Sequence, residues 1–239
     1  MLLIDRSFDS PAHNLACDES LLQWREENGG PDILRFWESP NLFVVLGYTN
    51  KIEIETDEIE CARLGIPILR RTSGGGTVLQ GPGCVNYSLI LSLENQPQLR
   101  NLSLTNEFVM ERNRVALQST LSVPVARQGY TDLTIEGRKF SGNAQRRKQK
   151  YLLFHGTLLL DFDLPLISKV LRLPPIRPTY RADRTHEDFL INLHLARETV
   201  KTTLREAWQT STVLCDLPLS RIENLVAQKY LCDDWNRKF

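Results

Sequence analysis

Two arginines followed by three glycines form the stretch of this sequence with the clearest chemical capacity. Residues 70–78 read RRTSGGGTV, between two apolar runs. Consecutive glycines carry a high entropic cost inside a helix or strand, so a loop is predicted here. Its bare N–H groups would form a concave anion site, and guanidinium groups bind carboxylate or phosphate in bidentate fashion. The stretch predicts a cradle for an anionic or activated acyl group, or alternatively a tight hairpin with solvated arginines.

Lys139 is the second residue with chemical capacity. Residues 136–145 read EGRKFSGNAQ, and the Glu136-Gly137 pair predicts a tight hairpin turn. Lys139 lies on the following strand beside small residues that leave room for a ligand. Its ammonium is a compact charge suited to a carboxylate or a nucleotide α-phosphate. An edge-strand lysine that discourages aggregation is the alternative interpretation.

His155 opens a strongly apolar strand, and a basic run precedes it at 146–150, RRKQK. An isolated histidine in this position is either structural or chemical, and the residues alone leave both open. The basic run is either a solvated loop or a guide for an acidic protein partner.

The five cysteines are scattered, odd in number and never spaced as CxxC: Cys17, Cys61, Cys84, Cys215 and Cys232. This argues against a zinc site or a disulfide framework and favours a reducing, cytoplasmic location. Cys84 is the only one inside the region of the motifs. Its neighbours predict a half-buried strand, in which the thiol is structural.

The composition limits the classes of partner. The 239 residues are 41% hydrophobic and 24% charged, which is ample for a packed core. Lys+Arg and Asp+Glu both number 29, so no basic excess points to nucleic acid. No apolar stretch is long enough to span a membrane, and the first residues do not resemble a signal peptide.

Strands with helices before and after them must position these residues. Strands are predicted at 1–4, 33–37, 42–46, 66–69, 86–93, 133–135, 138–141 and 152–160, with 39–41 joining the second and third as a hairpin. Helices are predicted at 10–27, 57–64 (ending at Gly65), 104–121, from 164 onward, 189–210 and 218–230. The pattern predicts an α+β fold of mixed β-sheets packed with helices.

Four stretches occurring together and in order resemble the lipoate–protein ligases of the biotin/lipoate protein ligase catalytic-domain superfamily. They are 70–78, 129–133 (GYTDL), 139–144 (KFSGNA) and 155–160 (HGTLLL), and NLACDE at 14–19 resembles the family's first helix. The resemblance spans residues 5–164. It implies a catalytic domain over 1–188, with 189–239 as a small helical extension in place of a full accessory domain.

The resemblance also implies a reaction. Such a ligase uses ATP and Mg²⁺ to convert lipoate to lipoyl-AMP. It then transfers the lipoyl group to a lysine of a lipoyl carrier domain, such as the E2 component of a 2-oxoacid dehydrogenase or the glycine cleavage H protein. A fixed ammonium and backbone donors would stabilise the charge that develops on the carbonyl oxygen and the departing phosphate.

Residue roles follow from the same resemblance. Lys139 stands at the family's invariant lysine and is the expected catalytic residue. Asp132 is expected near the adenosine and the metal, and Arg71 near the acyl carboxylate and phosphate. The other expected substrate-binding residues are Ser73, Gly74, Gly75, Gly76, Ser141, Gly142, Asn143, His155, Gly156 and Thr157.

Departures from the family pattern keep other hypotheses open. Residues 79–83 read LQGPG where the ligases often have His-Asp, and this Gly-Pro-Gly resembles the related octanoyl transferases. Tyr130-Thr131 replaces the usual Arg-Asn. The main alternative is an ATP-independent octanoyl or lipoyl transfer between carrier proteins through a cysteine thioester. No cysteine stands where cysteine-dependent relatives have theirs, which favours the ligase. A non-catalytic binding module and a biotin ligase are further alternatives.

Overall fold

Two mixed β-sheets and the helices packed on them make up the fold of the computed structural model, which describes residues 1–94 and 96–239. The strands are β1 (Leu2–Asp5), β2 (Ile33–Trp37), β3 (Phe43–Leu46), β4 (Ile68–Arg70), β5 (Val78–Gln80), β6 (Cys84–Ser92), β7 (Val125–Gln128), β8 (Asp132–Ile135), β9 (Arg138–Arg147), β10 (Tyr151–Leu159) and β11 (Thr212–Val213). The helices are α1 (Pro11–Asn28), α2 (Ile52–Glu55), α3 (Glu58–Arg63), α4 (Leu102–Gln118), α5 (Leu164–Val170), α6 (His186–Phe189), α7 (Arg197–Ala207), α8 (Leu219–Leu225) and α9 (Asp233–Asn236). A π-helical turn, Val226–Tyr230, separates α8 from α9.

The large sheet has the strand order β11-β1-β2-β6-β10-β9-β8-β7, and the small sheet has the order β4-β3-β5. In the large sheet, β1 pairs in parallel with β11 and β2, while the remaining pairs are antiparallel. In the small sheet, β3 pairs in parallel with β4 and antiparallel with β5. The predicted α+β class with mixed sheets is confirmed.

Each face of the large sheet has its own core, because side chains alternate between the faces of a strand. Leu89, Phe154 and Val109 belong to the core on the face covered by α4 and α7. Ile90, Leu153 and Leu21 belong to the core on the opposite face, covered by α1 and α8. The helices therefore cover both faces of the sheet, and its inner strands β2 and β6 are buried at every residue.

A buried ion pair fastens α1 to the sheet. Arg35 on β2 is inaccessible to solvent, and its Nη1 donates to Asp18 Oδ1 at 2.5 Å. Asp18 Oδ2 also accepts from Ser88 Oγ on β6 at 2.7 Å, and Asn14 Oδ1 accepts from Arg35 Nη2 at 2.9 Å. Both charges are thus paired and hydrogen-bonded, which is the condition for a tolerable buried charge.

Most predicted elements are present, and three were wrong. The predicted hairpin at 39–41 does not form: β2 lies between β1 and β6 in the large sheet, whereas β3 is central in the small one. Both strands are buried at every residue, so they are interior strands of different layers. Residues 146 and 147, predicted in a loop, extend β9.

The predicted helix at 189–210 was also wrong. The chain between α6 and α7 is extended, because its amides bond to neighbouring strands. Ile191 N donates to Lys139 O at 3.0 Å, and Leu193 N donates to Leu159 O at 2.9 Å. The segment after residue 188 continues into both cores, through Leu204 on one face and Ile222 on the other.

Two local turn predictions are confirmed. Gly65 ends α3 with φ +66°, the left-handed conformation expected of a glycine after a helix. Glu136 and Gly137 join β8 to β9 with φ values of +50° and +72°, as a two-residue type I′ turn requires. Within the described residues, no helix combines the length and the apolar character needed to cross a bilayer.

We expect Asp18→Ala to lower the free energy of unfolding by about 3–5 kcal/mol, because it leaves the buried Arg35 guanidinium without its counter-charge. Urea denaturation measures the loss. Glu111→Ala is the matched control, since it removes an equal charge from an exposed pair with Arg114 and should cost about 1 kcal/mol or less. Equal losses in the two variants would contradict the role of the buried pair.

Candidate active site

A cleft lies where the glycine loop (residues 73–76) approaches one face of the large sheet. On that face, Gly142 is in register with Asp132 and Thr157, and Ala144 is in register with His155. A Cβ added to Gly75 would lie 3.5 Å from the Ala144 Cβ. The glycine loop is therefore in close contact with β9, on the face of the sheet that α1 covers further along.

Arg71 braces the glycine loop from inside. Its side chain is buried, and its Nη2 donates to Gly74 O at 2.7 Å and to Gly76 O at 2.8 Å. Its Nε donates to Ser73 Oγ at 3.1 Å. Burial lowers the pKa of Arg71 to about 10, so the guanidinium remains charged at neutral pH. Most of the donors expected to face a ligand are directed to the loop itself.

The outward side of the glycine loop presents donors. The third carbonyl, Gly75 O, accepts from Asn50 Nδ2 at 3.2 Å, so all three glycine carbonyls have protein donors. Among the described residues, no protein group accepts from the N–H groups of Gly74, Gly75 or Gly76, and all three glycines are exposed. Free amides beside a buried guanidinium suit a negatively charged group, and the anion cradle expected from the sequence stays a prediction.

Close packing against the turn at 47–50 requires the glycines at this point. A Cβ on Gly47 would overlap Gly75 O, and Gly75 itself has φ +87°. Tyr48 N donates to Ser73 O at 2.9 Å, and Asn50 Nδ2 also donates to Thr77 Oγ1 at 3.0 Å. The loop is thus held on two sides although it contains three consecutive glycines.

Arg70 does not reach the cleft. Its fully buried guanidinium donates to five backbone carbonyls. The acceptors are Gly47 O, Tyr48 O, Asn50 O, Trp235 O and Asn236 O, at 2.6–3.1 Å. The interpretation of both arginines as anion ligands was wrong for Arg70, whose donors all serve the fold.

Lys139 lies across the cleft from the glycine loop and forms an ion pair with Asp132. Its Nζ is 2.8 Å from Asp132 Oδ1, and Asp132 Oδ2 accepts from Tyr180 Oη at 2.7 Å. Gly142 makes room for this pair, because a Cβ there would lie 2.7 Å from Lys139 Nζ. One acceptor engages one of the three ammonium protons, so the other donors remain available.

A β-bulge aims Lys139 at the cleft. Leu133 pairs with Ser141 but the next residue, Thr134, pairs with Lys139, so β9 contains one residue more than β8 at this point. The extra residue shifts the alternation and brings Lys139 onto the face of Gly142. Bulges commonly re-aim a side chain beside an active site. Without the bulge, Lys139 would point to the α4 side of the sheet.

His155 connects the glycine loop to the floor of the cleft. Its Nε2 is 2.6 Å from Ser73 Oγ. Burial, and secondarily the charge of Arg71, lower the pKa of His155 to about 4, so the ring is neutral at neutral pH. Because Ser73 Oγ already accepts from Arg71, its own proton is available for Nε2. The pair acts as a tie between β10 and the loop.

Three predicted site residues, Ser141, Asn143 and Gly156, belong to the other face of the large sheet. Asn143 Nδ2 donates to Thr131 O at 2.7 Å and to Ser141 Oγ at 3.2 Å. Its Oδ1 accepts from the hydroxyl of Tyr87, in the core below α4. Gly156 is in register with Asn143 and leaves space for that amide. Thr157 is on the cleft face and donates to Asn86 Oδ1 at 2.7 Å.

The residues around Asp132 do not form a metal site by themselves. Both carboxylate oxygens have protein donors, Lys139 and Tyr180. Across residues 1–94 and 96–239, no group of three or more His, Cys, Asp or Glu side chains converges. The expected Mg²⁺ contact of Asp132 stays a prediction, and its present partners do not fit a preformed cation site.

Three of the five described cysteines, Cys17, Cys61 and Cys84, are buried. Cys84 on β6 is buried, and burial raises the pKa of its thiol to about 12. Burial likewise raises the pKa of Cys17 and of Cys61 to about 11. Cys215 follows β11, at the edge of the sheet remote from β8. Thiolate chemistry needs a lowered pKa and access, and these buried thiols have neither.

Sequence reasoning missed Tyr180 and Asn50. Tyr180 belongs to a short 3₁₀ turn, Thr179–Arg181, 48 positions from its partner Asp132. An aromatic residue after Pro178 was the only signal. Asn50 looked like an ordinary turn residue, and its role depends on a contact 25 positions away.

Comparison with known proteins gives consistent results. The family model described as "Lipoyl protein ligase A/B catalytic domain" matches residues 10–204. The octanoyltransferase LipM of Geobacillus kaustophilus is 31% identical over an alignment that covers 98% of this chain and 97% of that protein. A probable lipoate-protein ligase A of Mycoplasma pneumoniae is 27% identical, covering 95% of this chain and 68% of that protein. The bipartite lipoate protein ligase of Thermoplasma acidophilum has a similar fold, with a TM-score of 0.83, 22% identity and coverage of 99% and 95%.

We expect His155 to titrate near pH 4 in the folded protein. In the unfolded chain its pKa returns to about 6.5, so between these values only the unfolded state takes up the proton. The contribution of His155 to stability is therefore present above pH 6.5 and is lost as the pH falls toward 4. NMR titration of the ring, repeated in urea as the control, measures both values. A folded-state pKa near 6.5 would exclude the buried tie to Ser73.

Proposed function

The chain belongs to the lipoyl protein ligase A/B catalytic-domain family, and we propose that it transfers an octanoyl or lipoyl group to the side-chain amine of a lysine on a lipoyl carrier domain. The observation that carries this proposal is that the same cleft contains the Lys139 ammonium, which Asp132 holds, and the free amides of the glycine loop. Both are suited to an acyl group whose carbonyl oxygen becomes negative during transfer.

In the proposed reaction, the nucleophile comes from the carrier domain and not from this chain. The amine nitrogen of the acceptor lysine attacks the acyl carbonyl, the new C–N bond forms, and the bond to the leaving group breaks. The leaving group departs with the electron pair, and the proton that the amine loses passes to the leaving group or to water. Lys139 and the loop amides stabilise the oxyanion of the intermediate. Asp132 holds the ammonium in place through its contact at 2.8 Å.

An acyl group carried as a thioester is the first candidate donor. The LipM relative, which matches this chain along almost its whole length, is an octanoyltransferase. The positions of the cysteines oppose an enzyme thioester, since Cys84 is buried with a raised pKa. We therefore propose direct attack of the acceptor amine on the thioester of the donor.

An acyl-adenylate made from ATP and free lipoate is the second candidate donor. The absence of a cysteine between positions 85 and 214 favours it, because adenylate chemistry needs no enzyme thiol. In this version, Lys139 would neutralise the phosphate of the anhydride. Asp132 and Tyr180 would lie beside the nucleotide, and Mg²⁺ would come with the ATP phosphates.

Acyl transfer to a purified apo E2 lipoyl domain, followed by mass spectrometry, tests the proposal. One reaction contains an octanoylated acyl carrier protein without ATP, and the other contains lipoate or octanoate with ATP and Mg²⁺. Product in the first reaction supports the thioester donor, and product with AMP release in the second supports the adenylate. No product with either donor, on the E2 domain or on glycine cleavage H protein, would refute the proposed function.

We expect Lys139→Met to reduce the rate of acyl transfer by about 10²–10³-fold, because it removes a fixed charge at the carbonyl. Cys84→Ala is the control and should change the rate less than about twofold. Single-turnover transfer measures both, with the melting temperature recorded to separate unfolding from lost chemistry. Normal transfer by the Lys139 variant would remove that residue from the mechanism, and loss of transfer in the Cys84 variant would restore the enzyme thioester.

A further inference from the structure

A cationic and aromatic surface lies on the rim of the cleft, at the end away from Lys139. We call it the Tyr48 patch, and it consists of Tyr48, Arg146, Trp235, Lys238 and Phe239. Lys238 Nζ is 3.1 Å from Tyr48 Oη, and Arg146 Cζ is 5.8 Å from the centre of the Tyr48 ring. The ring of Tyr48 lies 5.7 Å from Trp235 and 5.6 Å from Phe239. One compact surface thus joins the turn at 47–50, β9 and the segment after α9.

Its two cations form no ion pair within the part of the chain that the structure describes. Arg146 and Lys238 are both exposed, and neither has a carboxylate within 4 Å anywhere in residues 1–94 and 96–239. The neighbouring cation Lys229, in contrast, is paired with Glu19 at 2.8 Å. The pKa of the Tyr48 hydroxyl is lowered by the hydrogen bond and charge of Lys238, and further by Arg146 and Lys229. In a chain with net charge zero, this is a local positive excess.

The patch is continuous with the cleft. Arg146 lies on the same face of β9 as Ala144 and Gly142, because it is two and four residues further along the strand. At about 3.3 Å per residue, Arg146 is about 13 Å along the strand from Gly142, beside which the Lys139 Nζ lies. Tyr48 N donates to Ser73 O, so the other side of the patch adjoins the glycine loop. The patch therefore adjoins both the glycine loop and the strand that forms the floor of the cleft.

We propose that the Tyr48 patch docks the acidic face of the carrier domain whose lysine receives the acyl group. This inference rests on the proposed function. A lysine side chain is short, so the carrier surface around it must contact the rim when its amine reaches the acyl carbonyl. Unpaired cations on that rim select carboxylates around the lysine and accelerate the encounter. The aromatic rings provide a flat apolar contact of the kind enriched in interfaces.

Charge reversal at the patch tests the proposal. The variant Arg146→Glu/Lys238→Glu changes two cations that lie outside the reacting centre. The matched control Lys169→Glu/Arg205→Glu makes the same charge change at two exposed cations on α5 and α7, which also have no carboxylate partner within the described residues. Calorimetry measures the Kd of an apo E2 lipoyl domain at 50 and 500 mM NaCl. Steady-state transfer gives KM for the domain and kcat.

We expect the patch variant to bind the lipoyl domain at least tenfold more weakly at 50 mM NaCl, with the difference shrinking at 500 mM because salt screens exposed charges. KM should rise by a similar factor while kcat changes less than twofold, and the control should match the unmodified chain. A lipoyl domain with lysines in place of two acidic residues beside its acceptor lysine should restore binding to the patch variant.

Unchanged binding in the patch variant, or an equal loss in the control variant, would overturn the docking assignment. A fall in kcat with unchanged Kd would also overturn it, since that result places the cations at the chemistry. Failure of the proposed function gives a different result. If the unmodified chain transfers no acyl group, calorimetry still reports whether the patch holds the carrier domain.

Discussion

The fold around the candidate site depends on one buried guanidinium. Arg70 lies at the end of β4 and donates to five carbonyls from two distant parts of the chain, the turn at 47–50 and residues 235–236. The Asn236 side chain completes the contact by accepting from Arg70 N at 3.0 Å. A charged group removed from water needs such full satisfaction. Arg70 thereby fixes the strand from which the glycine loop departs and the turn on which the loop rests.

Arg70 and Arg71 stabilise the glycine loop through different contacts. Arg70 holds the surroundings of the loop, whereas Arg71 holds the loop from within by taking the carbonyls of Gly74 and Gly76. With Asn50 on the remaining carbonyl, all three glycine carbonyls accept from protein donors, whereas the glycine N–H groups have no protein acceptor among the described residues. This arrangement gives the loop a positive partial charge on its free groups, because its carbonyls are bonded and only its N–H groups lack a partner. Rigid support also lets three glycines form a defined site at a small additional entropic cost.

How far the sequence determines the site can be judged residue by residue. The glycine loop, the turn at Glu136-Gly137 and the small residue at 142 were predictable, because glycine has few reasons to occupy such positions other than conformation and close approach. Lys139 was predictable as a residue, but its direction was not. That direction depends on a bulge created by the pairing of β8 with β9, and nothing local in KFSG signals the extra residue.

Long-range contacts explain the failures. The extended segment before α7 has a sequence compatible with a helix, yet its amides bond to Lys139 O and Leu159 O. Tertiary hydrogen bonds outweighed local propensity there. Arg70 and Arg71 are identical in type and adjacent, so their separate roles arise from tertiary contacts, which for Arg70 include acceptors 20–23 and 165–166 positions away. The division at residue 188 stays a prediction, although the later segment shares both cores.

The reach of Arg70 along the chain bears on the order in which the protein is made. Its acceptors at Trp235 and Asn236 are translated 165 and 166 positions after it. A ribosome adding about 5–20 residues per second needs roughly 8–33 s to cover that interval. During this time, Arg71 can already donate to the carbonyls of Gly74 and Gly76, but Arg70 lacks its acceptors at Trp235 and Asn236. The contacts that tie Arg70 to residues 235 and 236 therefore form only after those residues have been synthesised.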